Sequence, residues 1–330
     1  MKRLFRTKSI ERLIAESENP EHKLRRSLGP WSLAALGIGA IIGTGVFILT
    51  GTAAAGEVLQ FESILKAPLL DVLMHGRNAV SMTGRPGAGP GIALSFFLVA
   101  VVCALAGLCY AELASMIPVA GSAYTYAYAT IGEFVAWIIG WDLILEYAVS
   151  NMASAVGFSA YVHSLLLSLG IHLPETLMQP VYANGAFTGA YFNLPGFLII
   201  MIMTIILVIG IRESAGANNL MVAVKITAIL VFVFAASRYI EVENWKPFMP
   251  NGWQGVLTGG AIVFFTYIGF DSVSTASEEA RNPQRDIPFA IIASLVVCAT
   301  LYVMVALVLT GIQHWPTLRN AAPVANALNA

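Results

Sequence analysis

From Trp31 to Ala55 the chain runs for 25 residues without one ionisable side chain. A helix needs about 20 mainly apolar residues to cross a bilayer. Backbone in hydrocarbon must satisfy its own hydrogen bonds, so a stretch like this reads as a membrane-spanning helix. Within it lies GIGAIIGTGVF, residues 37–47, with glycines at 37, 39, 43 and 45. Two readings of these glycines stand about level. Gly39-x-x-x-Gly43 is a small-residue face on which another helix packs closely. Alternatively the helix opens there, which lipid tolerates only where the backbone is buried in protein or lines a cavity. A break near Gly43–Gly45 frees the amide N–H groups of a half-helix N-terminus, which suit an anionic carboxylate. The Thr44 hydroxyl adds a donor, and freed carbonyls near Ile41 and Ile42 suit an ammonium group.

Composition agrees with a membrane chain. Hydrophobic residues make up 57% and charged residues 11%, against about a quarter charged in soluble domains. No alternating ten-residue strand pattern competes, so the fold class is all-α integral membrane. Cys103, Cys109 and Cys298 fall in apolar segments without metal-ligand spacing and read as packing residues. No cofactor, metal or nucleic-acid partner is read from the sequence, and no nucleophile or metal constellation supports an enzyme. The first 30 residues are polar and basic and lack the apolar core of a signal peptide.

Seven spans are predicted, at about 31–54, 91–116, 123–167, 194–211, 218–237, 254–278 and 288–312. The third is too long for one perpendicular crossing and must tilt or extend beyond the lipid. A cytoplasmic N-terminus puts eleven basic residues inside and six outside, with Lys225 left within the membrane. That bias supports the orientation and puts residue 330 outside. Residues 1–30 read as a solvated cytoplasmic tail, with 8–16 able to form a short amphipathic helix. The connection 56–90 contains an apolar segment, 61–74, suited to the interface, and RPGAGPG, 85–91, reads as a flexible hinge. Residues 314–330 read as an external tail or a truncation point.

Other intramembrane features carry chemistry. In FFTYIGFDSVSTASEEARNP, 264–283, Gly269 interrupts the sixth span and Asp271 lies within it. Interrupted helices in corresponding positions point to a transporter's binding site. Asp271 either contacts substrate or hydrogen-bonds loosened backbone. Glu278 and Glu279 read as solvated at the cytoplasmic end. Lys225 sits too deep to snorkel easily, which makes it a candidate proton carrier or a fixed cation. Asp142 and Glu146, at i and i+4, share one face of the third span, and one of them is a candidate partner for Lys225. Glu112 and His163 lie nearer the interface.

These motifs together resemble the amino acid–polyamine–organocation (APC) superfamily, specifically its cationic amino acid transporter branch and bacterial relatives. The segments that carry the resemblance are ALGIGAIIGTGVFILTG (35–51), 106–147, GIRESAGANNLMVAVK (210–225) and FFTYIGFDSVSTASEEARNPQRDIP (264–288). They cover most of residues 28–313.

The resemblance implies a LeuT-type fold of two inverted five-helix repeats, with helices one and six unwound around an L-amino acid. Residues 31–237 would form the first repeat and 254–313 the start of the second. The carboxylate would meet Gly43, Thr44 and Gly45. The ammonium would meet carbonyls of Ile41, Phe265, Thr266 and Ile268, with Phe265 also packing over the ligand. Lys225 matches a fifth-helix lysine that replaces a sodium ion in proton-coupled relatives. Glu146 resembles an acid linked to it, and Asp271 is carried over as a further pocket residue. The implied activity is proton-coupled secondary transport of L-amino acids across the cell membrane, with no resident cofactor. The alternatives are an amino-acid sensor or an inactive fragment. The connection around 57–85 is longer than is usual in the family. Ten helices are implied where seven are read, so the second repeat is incomplete, and a separate chain is one source of the missing helices.

Overall fold

A computed structural model describes residues 6–19, 24, 26–57, 85–183, 186–209, 215–320 and 322–325. Among these the chain is all-α, apart from two-residue antiparallel ladders at 56–57 with 85–86 and 182–183 with 186–187, and one isolated bridge. The described α-helices are α1 (Ile10–Ser17), α2 (Pro30–Ile41), α3 (Gly45–Ala55), α4 (Ile92–Met116), α5 (Ser122–Thr130), α6 (Glu133–Ser168), α7 (Leu194–Ile209), α8 (Ala215–Ala236), α9 (Gly252–Val263), α10 (Ser272–Thr275) and α11 (Pro283–Ile312). Proline opens α2 and α11 at the first helical position, where its missing N–H costs no hydrogen bond.

Four described helical runs are long and apolar enough to cross a membrane, and a fifth is the bent pair α2–α3. Of the seven predicted spans, the third differs most. Residues 123–167 are not one tilted helix. The chain turns at Gly132, whose φ of +127° is open to glycine but costly for L side chains, and α6 then runs on its own. Its 36 residues extend about 54 Å, well beyond the hydrocarbon core. The fourth span has a described apolar helix of 12 residues, Leu194–Ile205.

The core sits where α11 packs on α4, α2 and α8, and where α9 packs on α4 and α3. Ile287, Ile291, Cys298, Tyr302, Val305 and Leu309 of α11 are fully buried. Phe96, Tyr267 and Tyr302 form a triangle of rings with centroids 5.2–6.3 Å apart. Apolar side chains on the outside of the bundle, among them Leu105, Ile144, Met203 and Phe234, face what is lipid in a membrane. Cys103 and Cys298 are buried packing residues, but Cys109 is exposed.

Three connections differ from the sequence reading. RPGAGPG is no flexible hinge: residues 87–91 are buried, with Gly87 O accepting from Asn251 Nδ2 (2.8 Å) and Gly91 N donating to Phe248 O (2.7 Å). The tail is not merely solvated. Leu13 of α1 is buried, Lys8 N donates to Tyr128 O (3.3 Å), and Glu133 N donates to Arg6 O (3.2 Å). Lys8 and Arg12 both pair with Glu16 and hold its carboxyl below the usual range. Glu278 is half-buried and accepts from Ala120 N at 2.9 Å, rather than standing in solvent. The interfacial segment 61–74 and most of the long connection lie outside the described residues. So do Lys2, Arg3, Lys23, Arg25, Lys66, Arg77 and Arg212 of the charge tally, and residues 326–330 of the tail.

Candidate functional site

The first span is broken. α2 ends at Ile41, Ile42 adopts extended ψ (90°), and α3 restarts at Gly45 with a bend of 46°. In a continuous helix the carbonyls of Gly39, Ala40, Ile41 and Ile42 would take the amides of Gly43, Thr44, Gly45 and Val46. The break frees all eight groups, and in a membrane interior each needs a partner.

The carbonyls are largely provided for. Lys225 Nζ donates to Gly39 O (3.0 Å) and Ile42 O (2.8 Å). The Tyr302 hydroxyl donates to Ile41 O at 2.8 Å, and Gly43 N turns back to the same oxygen at 2.9 Å. The amides are not. Among the described residues no carbonyl or side chain receives the N–H of Thr44, Gly45 or Val46. Gly43 beside them is exposed, and a Cβ built there would meet nothing within 4 Å. Three unpaired donors therefore stand at a helix N-terminus next to the open space at Gly43, with Val46 itself buried, an arrangement that suits an anion.

The sixth span breaks opposite. α9 passes into a 3₁₀ turn, Phe264–Tyr267, then Ile268 goes extended (ψ 136°) before α10 begins at Ser272. Gly269 has φ +105°, and a Cβ on it would lie 3.0 Å from Ala40 O, so this glycine serves both the turn and the close approach of the two breaks. A Cβ on Gly45 would lie 2.9 Å from Thr266 Cγ2. The Ile268 carbonyl takes no donor among the described residues, while Thr266 O accepts from Tyr302 at 3.1 Å and Phe265 O from Ile268 N at 3.4 Å.

Asp271 is buried and accepts from Ser122 Oγ at 2.9 Å. It lines a cavity of about 420 Å³ with Asp142, Glu146, Tyr110, Phe265 and Ile268. Glu146 thus shares a cavity with Asp271, and among the described residues no ion pair joins Lys225 to Glu146 or Asp142. The i,i+4 spacing put both acids on one face of α6 but could not say which way the face turned. No described group of three or more His, Cys, Asp or Glu residues is arranged to hold a metal.

Two polar residues that hold the site have no motif of their own. Tyr302 is fully buried in α11, and its only signal is a phenol deep in an apolar span, where the hydroxyl must find a partner. Ser122 starts α5 with φ +52°, rare for a residue with a side chain.

Residues 28–329 match the family model described as amino acid permease. The chain belongs to the amino acid permease family. Relatives of the chain include the branched-chain amino acid permease BcaP of Bacillus subtilis, 47% identical over 94% of this chain and 59% of the relative. A methylthioribose transporter of the same organism is 43% identical over 99% of the chain and 64% of the relative. Cationic amino acid transporter 9, chloroplastic, of Arabidopsis thaliana is 36% identical over 93% and 49%. The chain spans about three-fifths of the length of the two Bacillus relatives.

Proposed function

We propose that this permease binds an L-amino acid between the two broken spans and moves it across the cell membrane by alternating access. The observation that carries the proposal is the trio of unpaired amides, Thr44, Gly45 and Val46, beside the open space at Gly43. They offer a carboxylate the donors it would lose with its hydration shell. The ammonium goes to the Ile268 carbonyl and its neighbours, the side in line with the resemblance. This reading moves the cradle one residue along, because the Gly43 amide is already bonded to Ile41.

Lys225 is proposed as the proton-linked group. Its ammonium holds two carbonyls freed by the break, so its charge state is tied to the geometry of the cradle. Binding that favours one protonation state must shift the other equilibrium reciprocally. The names of relatives as branched-chain and cationic amino acid carriers support amino acids as the substrate class. The two inverted repeats, the rocking of spans 1, 2, 6 and 7 against the rest and the cytoplasmic N-terminus belong to the same proposal.

Counterflow in sealed proteoliposomes tests it. Labelled amino acid should enter against an internal unlabelled pool. Specific binding with no counterflow would contradict transport and favour a sensor.

A further inference from the structure

At the end of the bundle that charge bias places in the cytoplasm, two adjoining cavities of about 460 and 540 Å³ share Arg281, Asn282 and Arg285. Arg26 lines one, and Trp31 with Phe289 lines the other. All three arginines are exposed. Arg281 spends Nε on Ser27 O (3.1 Å), and Arg26 pairs loosely with Glu18 (3.4 Å). The Arg285 side chain has no hydrogen bond or ion pair among the described residues. Among the described lining residues the one carboxylate, Asp286, is buried and accepts from Asn282 N at 3.1 Å. The pocket therefore presents guanidinium groups with little opposing charge.

Its other wall is apolar and continues into the membrane. Trp31 is 75% exposed and meets Phe289 edge to face, with centroids 5.1 Å apart. Along α11, Arg285, Phe289 and Val296 fall at i, i+4 and i+11, one face of the helix, and all are exposed. A single stripe thus begins with a cation at the helix start, passes an aromatic pair suited to the headgroup level, and runs on as hydrocarbon surface.

We propose that this stripe is a binding site for an anionic phospholipid of the cytoplasmic leaflet. The phosphate sits among Arg26, Arg281 and Arg285, and an acyl chain lies along Phe289 and Val296. A free phosphate would use the arginines but gain nothing from the apolar stripe. Basic pockets beside membrane helices on this side of a bilayer are suited to such headgroups. The site is separate from the amino-acid cradle and does not depend on the transport reading.

Native mass spectrometry of the purified protein, titrated with phosphatidylglycerol or phosphatidylcholine, tests it. Phosphatidylglycerol should be preferred, and Arg285→Gln, which breaks no described contact, should weaken its binding about fivefold. Phe289→Ala should weaken it too, Arg238→Gln at the opposite end should not, and inorganic phosphate should compete poorly. Equal binding of the two lipids, or unchanged preference in Arg285→Gln, would overturn the proposal. Full displacement by inorganic phosphate, or indifference to Phe289→Ala, would overturn the lipid assignment in favour of a free-phosphate site.

Discussion

The hydroxyl of Tyr302 lies 2.8 Å from the carbonyl oxygen of Ile41 and 3.1 Å from that of Thr266. One phenol on the seventh span thereby touches both broken spans at their breaks. It has a single hydrogen, so the two carbonyls share it. Tyr302→Phe keeps the ring in its triangle with Phe96 and Tyr267 but leaves Thr266 O without its donor and Ile41 O with the Gly43 amide alone. It should destabilise the protein by about 1–3 kcal/mol. Thermal unfolding in detergent reads this, and an unchanged midpoint would mean that the hydroxyl does not clamp the breaks.

Gly43 and Gly45 should respond in opposite ways. A methyl at Gly45 would meet Thr266 Cγ2 at 2.9 Å, and it would have to push the two broken spans apart. Gly45→Ala should cost about 1–3 kcal/mol in stability. A methyl at Gly43 meets nothing, so Gly43→Ala should melt as the wild type does yet bind amino acid more weakly, because it fills space proposed for the ligand. Paired melting and binding measurements separate the two effects.

Asp271 and Ser122 make a buried pair whose partners are 149 residues apart in sequence. Ser122→Ala removes the hydroxyl that faces the carboxylate and should cost about 1–3 kcal/mol. The amide of Asp271→Asn retains an oxygen acceptor for Ser122. A double-mutant cycle should therefore show coupling between Ser122→Ala and Asp271→Ala and less between Ser122→Ala and Asp271→Asn. Additive effects throughout would mean that the contact contributes nothing.

Lys225→Ala removes the cation that holds Gly39 O and Ile42 O. Amino-acid binding by this variant should lose its dependence on pH, measured as affinity across a pH series. An unchanged pH profile would remove Lys225 from the proton-linked role.

The breaks were legible in the sequence because their signals are local. Four glycines in a charge-free run and Gly269 beside Asp271 each mark backbone that lipid would not tolerate without protein or a cavity around it. Lys225 was legible because a cation at that depth needs partners, and the same break supplies them. What local signals could not reveal is orientation and partnership. Spacing placed Asp142 and Glu146 together, but only the packing of α6 brings them to the cavity that Asp271 lines. Gly132 sat within an apolar pattern that continued on both sides, so the third segment read as unbroken. The glycines and prolines of 85–91 read as a hinge because burial of a loop is a tertiary property. Tyr302 belongs to no local motif, and its part in the site rests on Ile41 and Thr266, which lie far from it in sequence.

That the amides of Thr44, Gly45 and Val46 hold a carboxylate is what the proposed transport rests on. It is tested most directly by the affinity of the purified protein for L-leucine and L-arginine against that for the amines left when each loses its carboxyl group. The amino acid the protein binds should be held at least tenfold more tightly than its amine, since loss of the carboxylate removes charge-assisted hydrogen bonds of about 1.5–3 kcal/mol each. An amine bound as tightly as its amino acid would contradict it.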